Sequence, residues 1–163
     1  MIHFGGDYLD ISEQQLHGLI TCPKTIIKRP KKEFYSSNGC LRNDFTAQST
    51  TNEHFRIFMR QNLCLLEDYS IGLIWECQDN NEDIIICRFN GPHGGNRKIN
   101  THFVTHIHKL NVELAKEDIF KENDVSETKD YATFADAIYT FCEYCHISEA
   151  LKYFPEAYSL DLF

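Results

Sequence analysis

Leu16, Leu19 and Ile20 recur at the three- and four-residue spacing of a helix that buries one face. Just upstream, Ser12 with Gln15 and Asp10 with Glu13 each stand at capping-box spacing. Gly18 weakens this helix and Pro23 ends it. From about residue 32 the period changes from helical to two. In HFRIFMRQ (54–61), Phe55, Ile57 and Met59 alternate with Arg56, Phe58 and Arg60, the pattern of a strand with one buried face. Asn38–Gly39 separates two strand-like stretches and supplies the positive φ angles of a tight hairpin turn. YSIGLIWECQ (69–78) and EDIIICRFN (82–90) read as two more strands with a hairpin-length gap, and NTHFVTHIHKLN (100–111) as another. Toward the C-terminus the period is helical again. Thr133 with Asp136 marks a helix start, and Phe134, Ile138, Phe141, Cys142 and Cys145 form one apolar stripe. SEALKYF (148–154) reads as a short second helix that Pro155 stops.

This layout predicts a single α+β domain over residues 1–163, an antiparallel meander of five or six strands flanked by N-terminal and C-terminal helices that cover one sheet face. The chain is 42% hydrophobic and 25% charged, so it can bury a core and is not a disordered segment. Its net charge of −8 weighs against a broad basic surface of the kind that coats nucleic acid, though not against a small basic cleft. The one dense basic run (Lys24, Lys28, Arg29, Lys31, Lys32) and the polar stretch KENDVSETKD (121–130) both read as solvated loops. No apolar run approaches the ~20 residues that a bilayer requires. The opening MIHFGGDYLD lacks the charged start and apolar core of a signal peptide, so the expectation is a cytoplasmic protein with reduced thiols. Seven cysteines, an odd number without regular spacing, agree with that expectation.

Chemistry concentrates in GPHGGNRKINTHFVTHIHKL (91–110), which holds four of the eight histidines. Its glycines do not make a phosphate loop: no Gly-Lys-Ser/Thr follows, and the segment joins two strands rather than opening a helix. Turn chemistry accounts for Gly91, Pro92, Gly94 and Gly95. On a continuous strand His102, Val104, His106 and His108 share a face, and Phe103 and Ile107 on the other dock against the helices. His106 and His108 are then ~6.6 Å apart along the backbone, close enough to converge on one metal, phosphate or water, while His102 lies ~20 Å from His108 on a straight strand. A third imidazole at the same point must come from elsewhere, such as His93. In the preceding strand, alternation puts Ile84, Ile86, Arg88 and Asn90 on one face and Ile85, Cys87 and Phe89 on the other. Arg88 can hold a phosphate through paired donors, and imidazoles move protons near neutral pH. CEYCH (142–146) matches the attachment motif of c-type haem as text, but its cysteines lie on a helix stripe and read as core positions.

The run IIICRFNGPHGGN…THFVTHIHKL followed by FADAIYTFCEYCHI resembles an uncharacterised bacterial family of small proteins whose core is similar to TumE-like toxins of toxin–antitoxin pairs. The resemblance covers about half of the chain, from Ser70 to Ile147, and is carried by Arg88, Asn90, Pro92, His93, His106 and His108. The chain departs from the pattern at Asn90, where an acid is common, and at Leu110, where an aromatic residue often follows His-x-His. The resemblance implies a toxin-like protein with RNA cleavage as its expected chemistry, neutralised by a cognate antitoxin or other protein partner; Arg88 with two imidazoles is by itself a kit for cleaving RNA without a metal or cofactor. On that expectation His106 and His108 act as acid and base with Arg88 on the charged phosphate, and His93 and Asn90 bind and orient the substrate. Two other expectations stay open. The His face could be the binding surface of a non-catalytic interaction or inhibitor protein of mobile-element origin, with an acidic surface for a basic partner. Alternatively, His93, His106 and His108 could ligate the metal of a hydrolase.

Overall fold

The computed structural model describes residues 3–5, 8–77, 82–93, 103–117, 119, 121–122 and 124–158. Strands β1 (His3–Gly5) and β2 (Tyr8–Asp10) pair as a small two-stranded sheet. Helix α1 (Glu13–Thr21) follows, capped by Ser12, whose hydroxyl accepts from Gln15 N–H while the Gln15 side chain accepts from Ser12 N–H. Of the two possible boxes, the Ser12–Gln15 pair is the one formed. The main sheet contains β3 (Lys24–Lys28), β4 (Tyr35–Ser37), β5 (Cys40–Ser49), β6 (His54–Asn62), β7 (Tyr69–Cys77), β8 (Glu82–Asn90), β9 (His106–Lys109) and β10 (Asp124–Glu127). Its order is β10-β9-β8-β7-β6-β5-β3, with β4 also pairing with β5, and every pairing is antiparallel. Helix α2 (Val112–Ala115) lies between β9 and β10. Helix α3 (Phe134–Tyr144) carries the Thr133–Asp136 capping box.

The α+β class and antiparallel sheet match the sequence reading, but the sheet has eight strands rather than five or six. The two outer strands that alternation missed, β3 and β10, lie in the basic run and in KENDVSETKD, both expected to be solvated loops. Edge strands pair on one side only and carry few buried side chains, so a polar sequence is compatible with them. The segment SEALKY forms a 3-10 helix (Ser148–Tyr153). Pro155 does not simply stop a helix; it opens α4 (Pro155–Tyr158), as suits a residue without an N–H in a first turn. Asn38 (φ 50°) and Gly39 (φ 71°) make the expected hairpin between β4 and β5.

One sheet face is the core. Phe45, Phe55, Ile57, Met59, Ile71, Leu73 and Phe89 meet Leu16 and Ile20 of α1 and Phe141 and Cys142 of α3. The cysteines of CEYCH are core residues, as read: Cys142 and Cys145 are fully buried, and burial pushes the Cys142 thiol up to about 12. Among the described residues no helix is long and apolar enough to cross a membrane.

Lys24, from the run expected to be solvated, is 6% exposed. Its ammonium donates to the carbonyls of Ile20 (2.7 Å), Cys22 (2.9 Å) and Cys145 (3.0 Å) and lies 4.7 Å from the Phe55 ring centre. One cation thus joins the C-terminal ends of α1 and α3, where carbonyls lack helical partners and the helix dipole is negative. Burial lowers the Lys24 pKa from its ordinary value. The folded chain therefore binds fewer protons at this residue than the unfolded chain, and its contribution to stability rises as pH climbs toward 10.5. Lys24→Met leaves the three carbonyls without this donor, and a loss of about 1–3 kcal/mol is expected in urea unfolding at pH 7. An unchanged midpoint would show that the carbonyls find other donors.

Candidate functional site

The site lies on the sheet face opposite the core, and a β-bulge decides which residues reach it. Leu73 pairs with Cys87, but Ile74 pairs with Ile85, so Ile86 is an extra residue on β8. Trp75, opposite Ile84, lies on the core face with Leu73. Ile84 therefore points into the core, while Arg88 and Asn90 point to the other side. Strict alternation had grouped Ile84, Ile86, Arg88 and Asn90 on one face; the bulge shifts the phase between Ile84 and Arg88.

Arg88 is opposite His108 and Asn90 is opposite His106 in the β8–β9 ladder. The same face carries Gly72 and Ser70 of β7, and Phe58 and Arg60 of β6. The hydroxyl of Tyr131 lies between β8 and β9. It accepts from Asn90 N–H (3.2 Å) and is within donating reach of the carbonyls of His106 (2.8 Å) and Asn90 (3.2 Å). The Tyr131 ring stacks on Phe89 at 5.3 Å between centres.

The histidine strand is shorter than its sequence suggests. It spans His106–Lys109, and Phe103 and Val104 stand before it, both exposed. Phe103, at 58% exposure, does not dock against the helices; Ile107 alone of the expected pair packs on the core. His102, Gly94 and Gly95 lie outside the described residues.

His106 and His108 are buried, at 0% and 6% exposure, and do not face solvent. Burial is tolerated because each ring has a fixed polar contact. His106 Nδ1 lies 2.7 Å from the Val104 carbonyl, and His108 Nδ1 lies 2.9 Å from the Glu122 carbonyl. A carbonyl can only accept, so each Nδ1 carries a proton, and in the neutral ring Nε2 then holds the lone pair. The amide of Asn90 sits between Ser70 and His106. Its Oδ1 accepts from the Ser70 hydroxyl at 2.7 Å, and its Nδ2 is 3.3 Å from His106 Nε2.

His93 reaches the pair from the chain that leaves β8. A Cβ on Gly91 would collide with the Glu67 carbonyl and the Tyr69 ring, so only glycine lets the backbone pass so close. Gly91 N–H bonds the Tyr69 carbonyl at 3.1 Å, and two residues later His93 lies half-buried over the histidine strand. Ring centres are 5.0 Å apart for His93–His106 and 4.9 Å for His106–His108. One ring nitrogen from each of the three lies within 4.8 Å of the others.

Beside this cluster is an open cleft of about 250 Å³, lined by Phe58, Arg60, Asp68, Ser70, Arg88, Asn90 and His93. Arg60 pairs with Asp68 at 2.8 Å, and Arg88 Nε with Glu122 Oε1 at 3.1 Å, an ion pair angled too poorly to be a hydrogen bond. Burial raises the Glu122 pKa, and the Arg88 guanidinium opposes part of that rise. The structure brings all five expected residues (Arg88, Asn90, His93, His106, His108) to one place. Sequence reading missed Glu122, which serves His108 through its carbonyl and Arg88 through its carboxylate. It also missed Arg60, Asp68 and Ser70. The alternation of HFRIFMRQ does put Arg60 on the non-core face, but nothing local ties that face to histidines 46 residues further on.

Scans against family models, curated proteins and solved structures find no match for this chain.

Gly91→Ala is expected to cost about 1–3 kcal/mol through overpacking against fixed backbone. It should also displace His93, broadening its imidazole NMR signals while those of His108 hold their positions. Wild-type stability together with an unmoved His93 signal would show that Gly91 does not set the path of this segment.

Proposed function

We propose that the cleft beside the histidine cluster is a hydrolytic site for phosphoesters and that the protein is a toxin-like enzyme acting on RNA. One juxtaposition supports the reading: two guanidiniums, Arg60 and Arg88, line the same polar cleft as His93, with His106 and His108 buried next to it. Guanidinium is the side chain best matched to phosphate. Glu122 meets Arg88 at Nε, so a phosphate would meet its Nη groups. A cleft of about 250 Å³ fits one phosphate with part of a nucleotide, not a duplex. The acidic protein would then hold a single-stranded segment locally. A toxin of this kind is restrained by a protein partner, and exposed Leu63, Leu65 and Leu66, on the loop that leads to Asp68, offer an apolar contact for one.

The geometry bears on how the imidazoles would act. Metal-free cleavage needs two rings on opposite sides of the scissile phosphorus, each reaching the substrate and exchanging a proton. His106 is sealed from solvent, and its ring and that of His108 are tied to backbone carbonyls on one side. Three rings directed at one point suit joint action better than an acid–base relay.

The test is cleavage of an end-labelled single-stranded RNA by purified protein, together with growth of a bacterial host during induction. Wild type should cut the RNA and arrest growth. Arg88→Ala should be about a hundredfold slower, the cost of losing one charge-stabilising donor in such a site. Intact RNA and normal growth with folded wild type would sink the enzymatic reading and favour a non-catalytic interaction protein.

A further inference from the structure

We propose that His93, His106 and His108 bind one divalent transition-metal ion, of the zinc or cobalt type, with one imidazole nitrogen each. Its role in hydrolysis rests on the reading of the cleft above; its binding does not.

Convergence is the first ground. The three ligand nitrogens lie within 4.8 Å of one another. Bonds of 2.0–2.1 Å to a tetrahedral ion would set them roughly 3.4 Å apart. The contraction required is at most about 1.4 Å, and His93 is the ring best placed to move. It is half-buried and outside the sheet, whereas His106 and His108 are locked in the β8–β9 ladder.

The second ground is independent of distance. His106 and His108 each give Nδ1–H to a backbone carbonyl, at 2.7 and 2.9 Å. This contact sets the tautomer and turn of an imidazole so that Nε2 presents its lone pair, and it is the usual support of a metal-bound histidine. The same support also serves an acid–base histidine; the convergence of a third imidazole nitrogen is what favours an ion.

The donor set then selects the ion. Three neutral nitrogens suit zinc, cobalt, nickel or copper; magnesium and calcium require oxygen ligands. Three protein ligands leave a fourth position for water, the composition of catalytic rather than structural zinc sites. Asn90 borders that position. Its amide now donates toward His106 Nε2 and accepts from Ser70. An ion on Nε2 displaces the first contact, and a turned amide would offer Oδ1 to the ion or its water and Nδ2 to Ser70 Oγ.

In the reaction, water on the ion gives one proton to solvent in the cleft. The resulting hydroxide oxygen bonds to phosphorus, the phosphorus–oxygen bond to the leaving group breaks, and the departing oxygen takes a proton from water. The ion supplies the hydroxide near neutral pH, and Arg88 and Arg60 hold the phosphate oxygens.

Metal-stripped full-length protein would be titrated with Co²⁺ and Zn²⁺, followed by calorimetry and by the cobalt absorption spectrum. The expected result is one ion per chain with visible tetrahedral d–d bands and no thiolate-to-cobalt charge transfer. His93→Ala, outside the sheet and half-buried, should weaken binding about tenfold or more while leaving the melting temperature of the stripped protein in place. His108→Gln should do the same to affinity, and Asn90→Asp, adding a carboxylate beside the rings, should tighten it about tenfold. Absence of binding, a thiolate band pointing to the cysteines, or wild-type affinity in His93→Ala would overturn the proposal. Binding as described with RNA left intact supports the metal site and overturns the reading of the cleft. RNA cleavage that persists after exhaustive chelation overturns the ion's role in hydrolysis and leaves the reading of the cleft in place.

Discussion

The antiparallel pairing of β8 with β9 places Arg88 opposite His108 and Asn90 opposite His106, and the other features of the site depend on that register. Side chains alternate across a sheet with a period of two, so a slip of one residue would send both histidines into the core and bring Ile107 out. Several contacts oppose such a slip. Ile107 packs on the core, the Tyr131 hydroxyl bridges the two strands, and Phe89 packs edge-on against Phe141 of α3 at 5.4 Å. The bulge at Ile86 shifts the phase of β8 partway along its length. It buries Ile84 at one end and directs Arg88 and Asn90 to the opposite side at the other.

Buried polar groups are costly unless each is matched. Here the matching uses backbone as well as side chains. His106 draws on the Val104 carbonyl and His108 on that of Glu122; Asn90 joins Ser70 to His106. Arg88 and Glu122 are partly withdrawn from water as a pair. Such an arrangement adds little net stability compared with apolar packing. It lies at the short-stranded end of the sheet, beside an open cleft.

The acidic balance of the chain and its arginine-lined cleft are compatible. Asp68 and Glu122 pair with Arg60 and Arg88 one to one, so any positive potential is local to the guanidiniums and falls away outside the cleft. On the proposed reading, a polyanion would be engaged through one or two phosphates, not along a broad surface.

Local chemistry alone determined much of this protein. Ser12–Gln15 and Thr133–Asp136 start helices wherever they occur before an apolar stripe, Asn38–Gly39 turns a hairpin, and Phe55, Ile57 and Met59 bury one side of a strand. These signals act over a few residues, and so they could be read from the chain. His-x-His also brought His106 and His108 to one face by periodicity alone. The tertiary structure decided the rest, because the deciding contacts are between residues distant in sequence. The phase of Arg88 depends on a bulge defined by its partner strand. The burial of Lys24 depends on the far end of α3. Glu122 lies in a stretch with a single apolar residue between 121 and 130, Val125, which gave no strand signal of its own; only pairing with the histidine strand makes it an edge. His93 joins the cluster because glycine lets the backbone pass against Glu67 and Tyr69, a constraint visible only once β7 and β8 lie side by side.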